Sequence, residues 1–349
     1  MPQNYEKVCN FAPDNQEIMQ PSLEIMTPFQ TIQQTLAPDL KRLNDRILSA
    51  LDSPNALMNR VVHHYLEKKG KQIRPILVLL SARLLGEVND NVLAGATAVE
   101  LLHNASLIHD DVVDDTVTRR GAMTINGAWD NHLAVLVGDF FLSNALLQGA
   151  DTDDIRIIHS ISNLGRLLSI GELDEIYNAR YNELDEQAYF NIIYRKTASL
   201  FVSCVEVGAY AVGVNDDRLG TLREYARLLG LCFQIKDDIF DYFSDEKIGK
   251  PTGNDLREGK VTLPLLHALE NTAHPRHAEM EALARKETLD TDEVNELIAF
   301  AIDNGGIEYA EDTMRRMRDQ AVELMARFPQ SDVTDAFVAL IDFIISRDN

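Results

Sequence analysis

The chain has 349 residues, of which 45% are hydrophobic and 25% are charged, the composition of an ordinary globular protein. Its 55 Asp and Glu residues outnumber its 33 Lys and Arg residues, which gives a formal net charge of -22 at pH 7. Because so acidic a surface repels the phosphates of nucleic acids and anionic lipid headgroups, no nucleic-acid partner is expected. An anionic ligand must therefore bind at a local basic cluster or through a bridging cation.

Cysteine usage and the lack of long apolar runs bear on cellular location. The three cysteines, Cys9, Cys204 and Cys232, are odd in number and lack metal-ligand spacing. This argues against a disulfide framework or a structural zinc site and favours a cytoplasmic location. No run of about 18 uncharged apolar residues occurs, so no membrane anchor is expected. The first residues do not form a signal sequence, and we interpret residues 1–28 as a flexible tail.

From residue 29 onward, apolar residues recur at three- and four-residue spacing, which predicts an all-α fold. Ser53 and Pro54 give a cap and first-turn signal for a helix that Gly70 ends. Further helices are predicted over 74–86, 90–114, 133–149, 154–180, 184–213 and 217–243, followed by shorter ones. No linker or repeat interrupts them, so residues 29–349 are predicted to form a single domain. The two longest polar connections cover 115–131 and 244–260.

The segment HDDVVDD at 109–115 concentrates carboxylates just before the first polar connection. Asp110 and Asp114 lie one helical turn apart on one face, and Ser106 and His103 continue this face backward along the helix. The face therefore changes from apolar to acidic, as expected for the wall of a pocket with a charged mouth. Asp110, Asp111 and Asp114 are named the first acidic motif.

A second acidic motif, Asp237, Asp238 and Asp241, repeats the spacing in the segment QIKDDIFD. Phe233 and Phe240 share the face of Asp237. Ionised carboxylates one turn apart repel each other, and a divalent cation removes that repulsion. Oxygen ligands of this kind suit Mg²⁺, which binds few carboxylates and keeps positions for water and substrate phosphates. One such motif could equally be a solvated helix face, but two motifs, each followed by a basic loop, favour a metal site.

Basic residues gather at a few places despite the acidic composition. They lie around GKQIRP, before Gly121, within YRKTA and in the second polar connection, and comprise Lys68, Lys69, Lys71, Arg74, Arg119, Arg120, Arg195, Lys196, Lys250 and Lys260. Arg offers a bidentate fork to phosphate oxygens, and Lys offers a mobile point charge. Any one of them alone could be a solvated or salt-bridged side chain. Together with two acidic motifs, they predict two diphosphate sites and hence two diphosphate substrates.

The order of these segments resembles that of the trans-isoprenyl diphosphate synthases, over about residues 40–347. The resemblance is carried by GKQIRP, LLHNASLIHDDVVDDTVTRRG, GDFF, YRKTASLF, CFQIKDDIFDYF and GKPTGNDLREGKVTLPL. It implies a single large all-α bundle of the isoprenoid synthase type with a central cavity, assembled as a homodimer. It also implies head-to-tail (1'-4) condensation of an allylic diphosphate with isopentenyl diphosphate, by ionisation, carbon–carbon bond formation and proton loss.

The same resemblance assigns residues of this chain to three sets. The metal set, for about three Mg²⁺ ions per active site, is Asp110, Asp114 and Asp237, with Asp111, Asp238 and Asp241 acting more weakly or through water. The allylic diphosphate set is Arg119, Lys196, Thr197, Gln234 and Lys250, of which Lys196, Thr197 and Gln234 take part in catalysis. The isopentenyl diphosphate set is Lys71, Arg74, His103, Arg120 and Phe233. Glu175 stands where the family often has Gln, and its role is left open.

Product length depends on the space below the first acidic motif. Ala105 and Ser106 lie one turn below Asp110, where short-chain members of the family generally carry an aromatic residue. Small residues leave the pocket floor open, which predicts a product of about six to ten isoprene units at about one helical turn per unit. Octaprenyl is the central expectation, as in the side chain of a respiratory quinone.

Three alternatives stay open at this point. Ala105 and Ser106 could serve helix packing alone, in which case the product would be farnesyl or geranylgeranyl diphosphate. A class I terpene cyclase shares the fold and the metal-triggered ionisation, but it normally has a different second metal motif. A non-catalytic partner subunit would have degraded motifs, whereas both motifs are intact here.

Overall fold

A computed structural model describes residues 27–67, 70–119, 121–181, 184–243 and 252–347. Most of the predicted tail and the predicted site residues Arg120 and Lys250 lie outside the described residues. Within these ranges helices make up almost all of the regular structure, so the predicted all-α class is confirmed.

The described residues form 17 α-helices, one π-helix and a two-stranded antiparallel hairpin. The α-helices are α1 (Pro28–Thr35), α2 (Ala37–Ala50), α3 (Ala56–Leu66), α4 (Ile73–Leu85), α5 (Asp90–Val113), α6 (Ile125–Ala128), α7 (Asn131–Ala150), α8 (Ile155–Tyr181), α9 (Glu186–Ile193), α10 (Ser199–Ala211), α11 (Asp217–Asp241), α12 (Asn254–Arg257), α13 (Leu263–Glu270), α14 (His277–Ala284), α15 (Thr291–Asp303), α16 (Gly306–Met325) and α17 (Asp332–Ser346). The π-helix is π1 (Tyr194–Ala198), and the strands are β1 (Thr118–Arg119) and β2 (Ala122–Met123).

The predicted long helices correspond closely to α4, α5, α7, α8 and α11. The helix predicted over 184–213 is divided into α9, π1 and α10. The connection predicted over 115–131 contains β1 and β2, which pair with each other, and α6. Thr124 caps α6 by accepting a hydrogen bond from the backbone N–H of Gly127. This connection is therefore an ordered hairpin rather than an irregular loop.

The helix predicted between Ser53 and Gly70 is shorter at both ends. Its N-cap is Asn55 rather than Ser53, because the Asn55 side chain accepts a bond from the backbone N–H of Leu57. An Asn side chain in extended backbone conformation is among the best helix caps. The helix α3 then ends at Leu66, before Gly70.

The helices α4, α5 and α10 form the centre of the core. α5 packs against α4, α7, α8 and α10. Its residues Ala98, Val99 and Leu101 are fully buried, and a helix that is apolar on nearly every side is a core helix. The first acidic motif lies at the C-terminal end of α5, so core packing fixes the position of its carboxylates.

Two glycines allow π1 to fit between α8 and α11. A Cβ atom on Gly171 of α8 would lie 2.7 Å from the backbone N of Lys196, and one on Gly230 of α11 would lie 2.5 Å from Cα of Ala198. Both approaches are closer than a side chain tolerates, so glycine is required at these two contacts. π-Helical turns are rare and often occur at functional sites. This turn carries Lys196 and Thr197 towards α11.

We expect Gly230→Ala to destabilise the protein, and Gly220→Ala on the same helix to leave its stability unchanged or slightly higher. A methyl group at 230 meets the backbone of π1, whereas a Cβ at 220 has no atom of the described chain within 4 Å. Overpacking costs about 1–3 kcal/mol, and Ala in place of Gly inside a helix gains about 0.8–1 kcal/mol. Urea unfolding measures both, and equal stability of the two variants would contradict this packing.

The helix α7 has one buried and one exposed apolar face. Its buried residues Ala134, Val137 and Phe141 lie on a helix that packs against α5. Its exposed apolar side chains are Val135, Leu136, Leu146 and Leu147. Among the described residues, Asn131–Ala150 is the one helix whose length and apolar composition would allow it to cross a membrane. Core helices of soluble proteins often have the same length and composition. α7 therefore presents an apolar surface of the kind found at interaction sites.

Candidate active site

The first acidic motif is partly buried where α5 ends beside α8. Burial raises the pKa of Asp110 to about 7, and the charges of Glu172 and Asp114 add to this rise, while Lys196 and Arg119 oppose it. Burial likewise raises the pKa of Asp114. Two neighbouring carboxyls with raised pKa values form a site that a bound cation would stabilise.

Asp111, the middle residue of this motif, faces the hairpin. Its side chain is only 4% exposed and lies 2.8 Å from Nε of Arg119, which donates a hydrogen bond to it. The Asn126 side chain donates to the backbone O of Asp111 at 3.0 Å. Asp111 therefore anchors the hairpin to α5, and its weaker role at a metal stays a prediction.

Asp237 of the second motif is paired with the end of the chain. Arg347 donates from Nη2 to Asp237 Oδ1 at 2.6 Å and to the backbone O of Phe233 at 2.9 Å. Its guanidinium lies 4.1 Å from the ring centroid of Phe233, and its Nε is buried without a hydrogen-bond partner in the described chain. A cation that binds to Asp237 must therefore compete with Arg347.

The other two residues of the second motif hold their surroundings in place. Asp238 is 4% exposed and accepts a hydrogen bond from the Tyr189 hydroxyl at 2.6 Å. Burial raises the pKa of Asp238. Asp241 accepts bonds from the backbone N–H groups of Asn254 and Asp255, each at 3.0 Å, and so fixes the start of α12. The weaker metal role predicted for both carboxylates stays a prediction.

A cavity of about 200 Å³, the lysine cavity, is lined by residues that include Lys196, Thr197, Gln234 and Lys260. Thr197 Oγ1 donates to Gln234 Oε1 at 2.6 Å, and Gln234 Nε2 donates to Asp238 at 2.8 Å. Lys196 and Thr197 come from π1, and Gln234 comes from α11. The structure therefore brings together the three residues predicted to take part in catalysis.

Glu175 bridges the two lysines of this cavity. Its Oε2 atom lies 2.7 Å from Nζ of Lys196 and 3.0 Å from Nζ of Lys260. Glu172 also contacts Lys196, at 2.8 Å, and Glu258 contacts Lys260, at 2.7 Å. Burial lowers the pKa values of both lysines, but the carboxylates outweigh burial and raise them. Burial raises the pKa of Glu175, and the lysines lower it by more, so all three groups are charged at neutral pH.

A second, larger cavity of about 810 Å³ is named the arginine cavity. Its polar and aromatic lining includes Lys71, Arg74, His103, Asp111, Arg119, Phe233 and Arg347. Four of the five residues predicted for isopentenyl diphosphate thus line one cavity, and the fifth, Arg120, lies outside the described residues. Arg119, predicted for the allylic set, also lies in this wall. Phe233 of this cavity and Gln234 of the lysine cavity are consecutive on α11, so α11 contributes to the lining of both cavities.

The helices α5 and α8 run parallel to each other below the acidic motifs. A Cβ atom on Gly165 of α8 would lie 3.8 Å from Leu102 of α5, and Glu172 interacts with Asp110 further along both helices. From the first pair to the second, residue numbers increase along both helices, so the two helices are parallel. The small residues of α5 between these two levels are Ala105 and Ser106.

The acidic motifs suit Mg²⁺ by the chemistry of their donors. Within the described residues, no group of three or more His, Cys, Asp or Glu side chains is arranged to hold a metal alone. Mg²⁺ usually binds one or two carboxylates and completes its shell with water and substrate phosphates. The raised pKa of Asp110 marks a place where added positive charge is favourable. The residues therefore fit Mg²⁺ held jointly by protein and substrate.

The side chains of the site that are absent from the predicted sets include Glu172, Asp255, Lys260 and Arg347. Lys260 and Asp255 both lie in the second polar connection, directly after the second acidic motif. This position in the sequence could have identified them as site residues. Arg347 gives no sequence signal, because it follows α17 and reaches α11 only through tertiary packing.

Comparisons with known proteins agree with this geometry. The family model described as polyprenyl synthetase matches residues 55–301. The octaprenyl diphosphate synthase of Haemophilus influenzae is 33% identical over 318 residues, which cover 91% of this chain and 96% of that protein. Among solved structures, the chain is similar to a polyprenyl synthase from Caulobacter crescentus that was crystallised with calcium and isoprenyl diphosphate. The sequence identity is 33% and the TM-score is 0.83, and the match covers 91% of this chain and 98% of that chain. A geranylgeranyl pyrophosphate synthase from Bacteroides thetaiotaomicron is 36% identical with a TM-score of 0.79, over 92% and 99% of the two chains. The chain therefore belongs to the polyprenyl synthetase family and is a prenyltransferase.

Proposed function

We propose that this prenyltransferase condenses an allylic diphosphate with successive isopentenyl diphosphates, head to tail (1'-4), in a Mg²⁺-dependent reaction. The observation that carries the proposal is that Lys196 and Lys260 interact with the first acidic motif, while Lys71, Arg74 and His103 line the separate arginine cavity. Two separate anion sites suit two diphosphate substrates. The Phe233 ring in the arginine cavity suits the hydrocarbon part of isopentenyl diphosphate.

Asp110, Asp114 and Asp237 would hold the cations, about three Mg²⁺ by resemblance. Bound there, Mg²⁺ neutralises the diphosphate and assists cleavage of the carbon–oxygen bond. Asp111 and Asp238 are buried and hydrogen-bonded to Arg119 and Tyr189, and Asp241 accepts two backbone hydrogen bonds, which favours a weaker or water-mediated role for these three carboxylates. Asp237 is also paired, with Arg347, so a cation must displace this arginine there.

The residues of the two cavities have separate tasks in this reaction. Lys196 and Lys260 bind the leaving diphosphate, where negative charge develops as the carbon–oxygen bond breaks. Thr197 and Gln234 turn their dipoles towards the allylic cation and help to exclude water. The residues Lys71, Arg74 and His103 hold isopentenyl diphosphate while its double bond attacks the cation. The departing diphosphate accepts the proton that is lost.

We propose a medium- or long-chain all-trans product, of octaprenyl type, as used in quinone side chains. The small, half-buried Ser106 one turn below Asp110 supports an open floor, whereas Ala105 is buried in the core. The similarity to an octaprenyl diphosphate synthase also supports a long product. The alternative is a farnesyl or geranylgeranyl product, which the similarity to a geranylgeranyl pyrophosphate synthase supports.

Labelled isopentenyl diphosphate separates this function from its rivals. With an allylic starter and Mg²⁺, a prenyl synthase incorporates label into a longer diphosphate. A class I terpene cyclase would convert the allylic diphosphate alone and incorporate none. A non-catalytic partner subunit would do neither, and the lack of any product from the purified protein would overturn the proposal.

We expect the apparent affinity for Mg²⁺ to increase with pH between about 6 and 8. Because the pKa of Asp110 is about 7, this carboxyl is largely protonated below pH 7, and a cation must displace the proton. Displacement of one proton changes the apparent affinity by up to about tenfold per pH unit below the pKa, and little above it. Initial rates measured against Mg²⁺ concentration at several pH values test this, and an affinity that does not change with pH would contradict the assigned metal site.

We also propose a homodimer in which the exposed face of α7 contacts a second copy. Leu136 and Leu147 are 60% and 61% exposed, and burial of such apolar side chains is typical of permanent interfaces. Light scattering would then give twice the chain mass of 39.2 kDa. Residues 29–349 would form one domain of a cytoplasmic protein, with no nucleic-acid partner and no stable membrane anchor.

A further inference from the structure

Glu175 holds two lysines through a single oxygen atom. Its Oε2 lies 2.7 Å from Lys196 Nζ and 3.0 Å from Lys260 Nζ, and the Glu175 side chain is 18% exposed. The three residues come from separate elements, since Glu175 lies on α8, Lys196 on π1 and Lys260 after α12. The two ammonium groups repel each other, so without the carboxylate between them they would move apart.

The bridged lysines lie opposite the first acidic motif. Lys196 interacts electrostatically with Asp110, and Lys260 interacts with Asp114. An ammonium group has three N–H donors, and each of these lysines contacts two carboxylates. Each lysine therefore has one donor more than it has carboxylate contacts.

We propose that Glu175 is a positioning residue that fixes Lys196 and Lys260 as a pair against the leaving diphosphate. The inference rests on the proposed function, because it takes Lys196 and Lys260 as the residues that bind the allylic diphosphate at the first acidic motif. Preorganised donors stabilise charge that develops in the transition state more than charge already present in the bound substrate. Loss of the bridge should therefore affect kcat rather than substrate binding.

Glu175→Gln tests this, because the amide has the shape of the carboxylate but no charge. We expect kcat to fall by about 10- to 100-fold, the effect of misplacing a catalytic group by about 1 Å. The KM for the allylic substrate should not rise, because the lysines keep their positive charge and lose the carboxylate that neutralises it. The KM for isopentenyl diphosphate should stay the same. Glu175→Asp keeps the charge and should restore part of kcat.

Asp174→Asn is the matched control on the same helix. Asp174 pairs with Arg195 of π1, so this variant also removes an ion pair between α8 and π1 but leaves the bridge intact. Its kcat should stay close to that of the wild type. An unchanged kcat in Glu175→Gln, a rise in allylic KM alone, or a loss of thermal stability with changes in both KM values would each overturn the proposal.

A measurement without substrate or metal tests the bridge separately from the proposed function. Acetic anhydride labelling followed by mass spectrometry reports the reactivity of each lysine. Lys196 and Lys260 should be acetylated several-fold faster in Glu175→Gln than in the wild type or Asp174→Asn. Unchanged reactivity would overturn the bridge, whereas a wild-type enzyme without prenyltransferase activity would overturn the proposed function and leave the labelling result valid.

Discussion

Asp110→Asn is expected to lower kcat by about 10³-fold or more, although the variant folds normally. The carboxylate is one of the proposed Mg²⁺ ligands, and loss of electrostatic stabilisation at a developing charge commonly costs about 10²–10³-fold for a single donor. Asn keeps the size of the side chain but removes the charge that a divalent cation needs. Steady-state rates with saturating substrates and varied Mg²⁺ measure the effect.

The stability of this variant separates catalysis from folding. The pKa of Asp110 is raised from 3.8 to about 7. Its contribution to stability is therefore fully present below pH 3.8 and is lost as the pH rises through 7. Because Asn does not ionise, Asp110→Asn should be at least as stable as the wild type at pH 8. A lower Tm at this pH would show that the loss of activity comes from unfolding.

Asp115→Asn is the matched control for Asp110→Asn. Asp115 follows the motif directly, is exposed and has a φ of 50°, a left-handed conformation that Asn tolerates well. Its rate should stay within about twofold of the wild type, as for most exposed substitutions. Comparable losses in both variants would mean that general negative charge, rather than a specific ligand, supports the reaction.

Ser106→Phe is expected to change the product rather than the rate of the first condensation. Ser106 lies between Leu102 and Asp110 on the stripe of α5 that faces α8. An aromatic ring there should obstruct a product that grows along this stripe and end growth at about two to four isoprene units, at about 5.4 Å of helix per turn. The diphosphate sites lie above this level, so the total label incorporated should fall much less than the product length. Chromatography of the dephosphorylated products measures the shift.

Val113→Phe is the corresponding control on the same helix. Val113 is 59% exposed, so the added ring stays in solvent and product length should not change. If Ser106→Phe also makes products as long as those of the wild type, Ala105 and Ser106 are packing residues, and the chain-length gauge lies elsewhere.

The helical fold and the two acidic motifs are predicted by local patterns, whereas the predicted residues of the two cavities follow from the resemblance of short segments to a known family. Three- and four-residue spacing identifies α5 and α11, and Asp-Asp-x-x-Asp spacing identifies the motifs at their ends. Lys196, Thr197 and Gln234 lie in short recognisable segments, and the structure brings them together.

The remaining features depend on contacts between distant elements. Nothing local in the sequence predicts that π1 interrupts the helix over 184–213, since this turn depends on close approaches at Gly171 and Gly230. Nor does the sequence indicate that Glu175 joins two lysines or that Arg347 covers Asp237. These side chains pair across helices far apart in the chain, and only packing determines their partners.

Sizing the products of the wild-type enzyme tests the proposed condensation and the open pocket floor most directly. The purified protein is incubated with farnesyl diphosphate, labelled isopentenyl diphosphate and Mg²⁺, and the products are dephosphorylated and separated by chain length. We expect a ladder that ends at about six to ten isoprene units, the length that an open floor along successive helical turns allows. A product that stops at about three or four units would contradict the open floor, and no incorporated label would contradict the condensation itself.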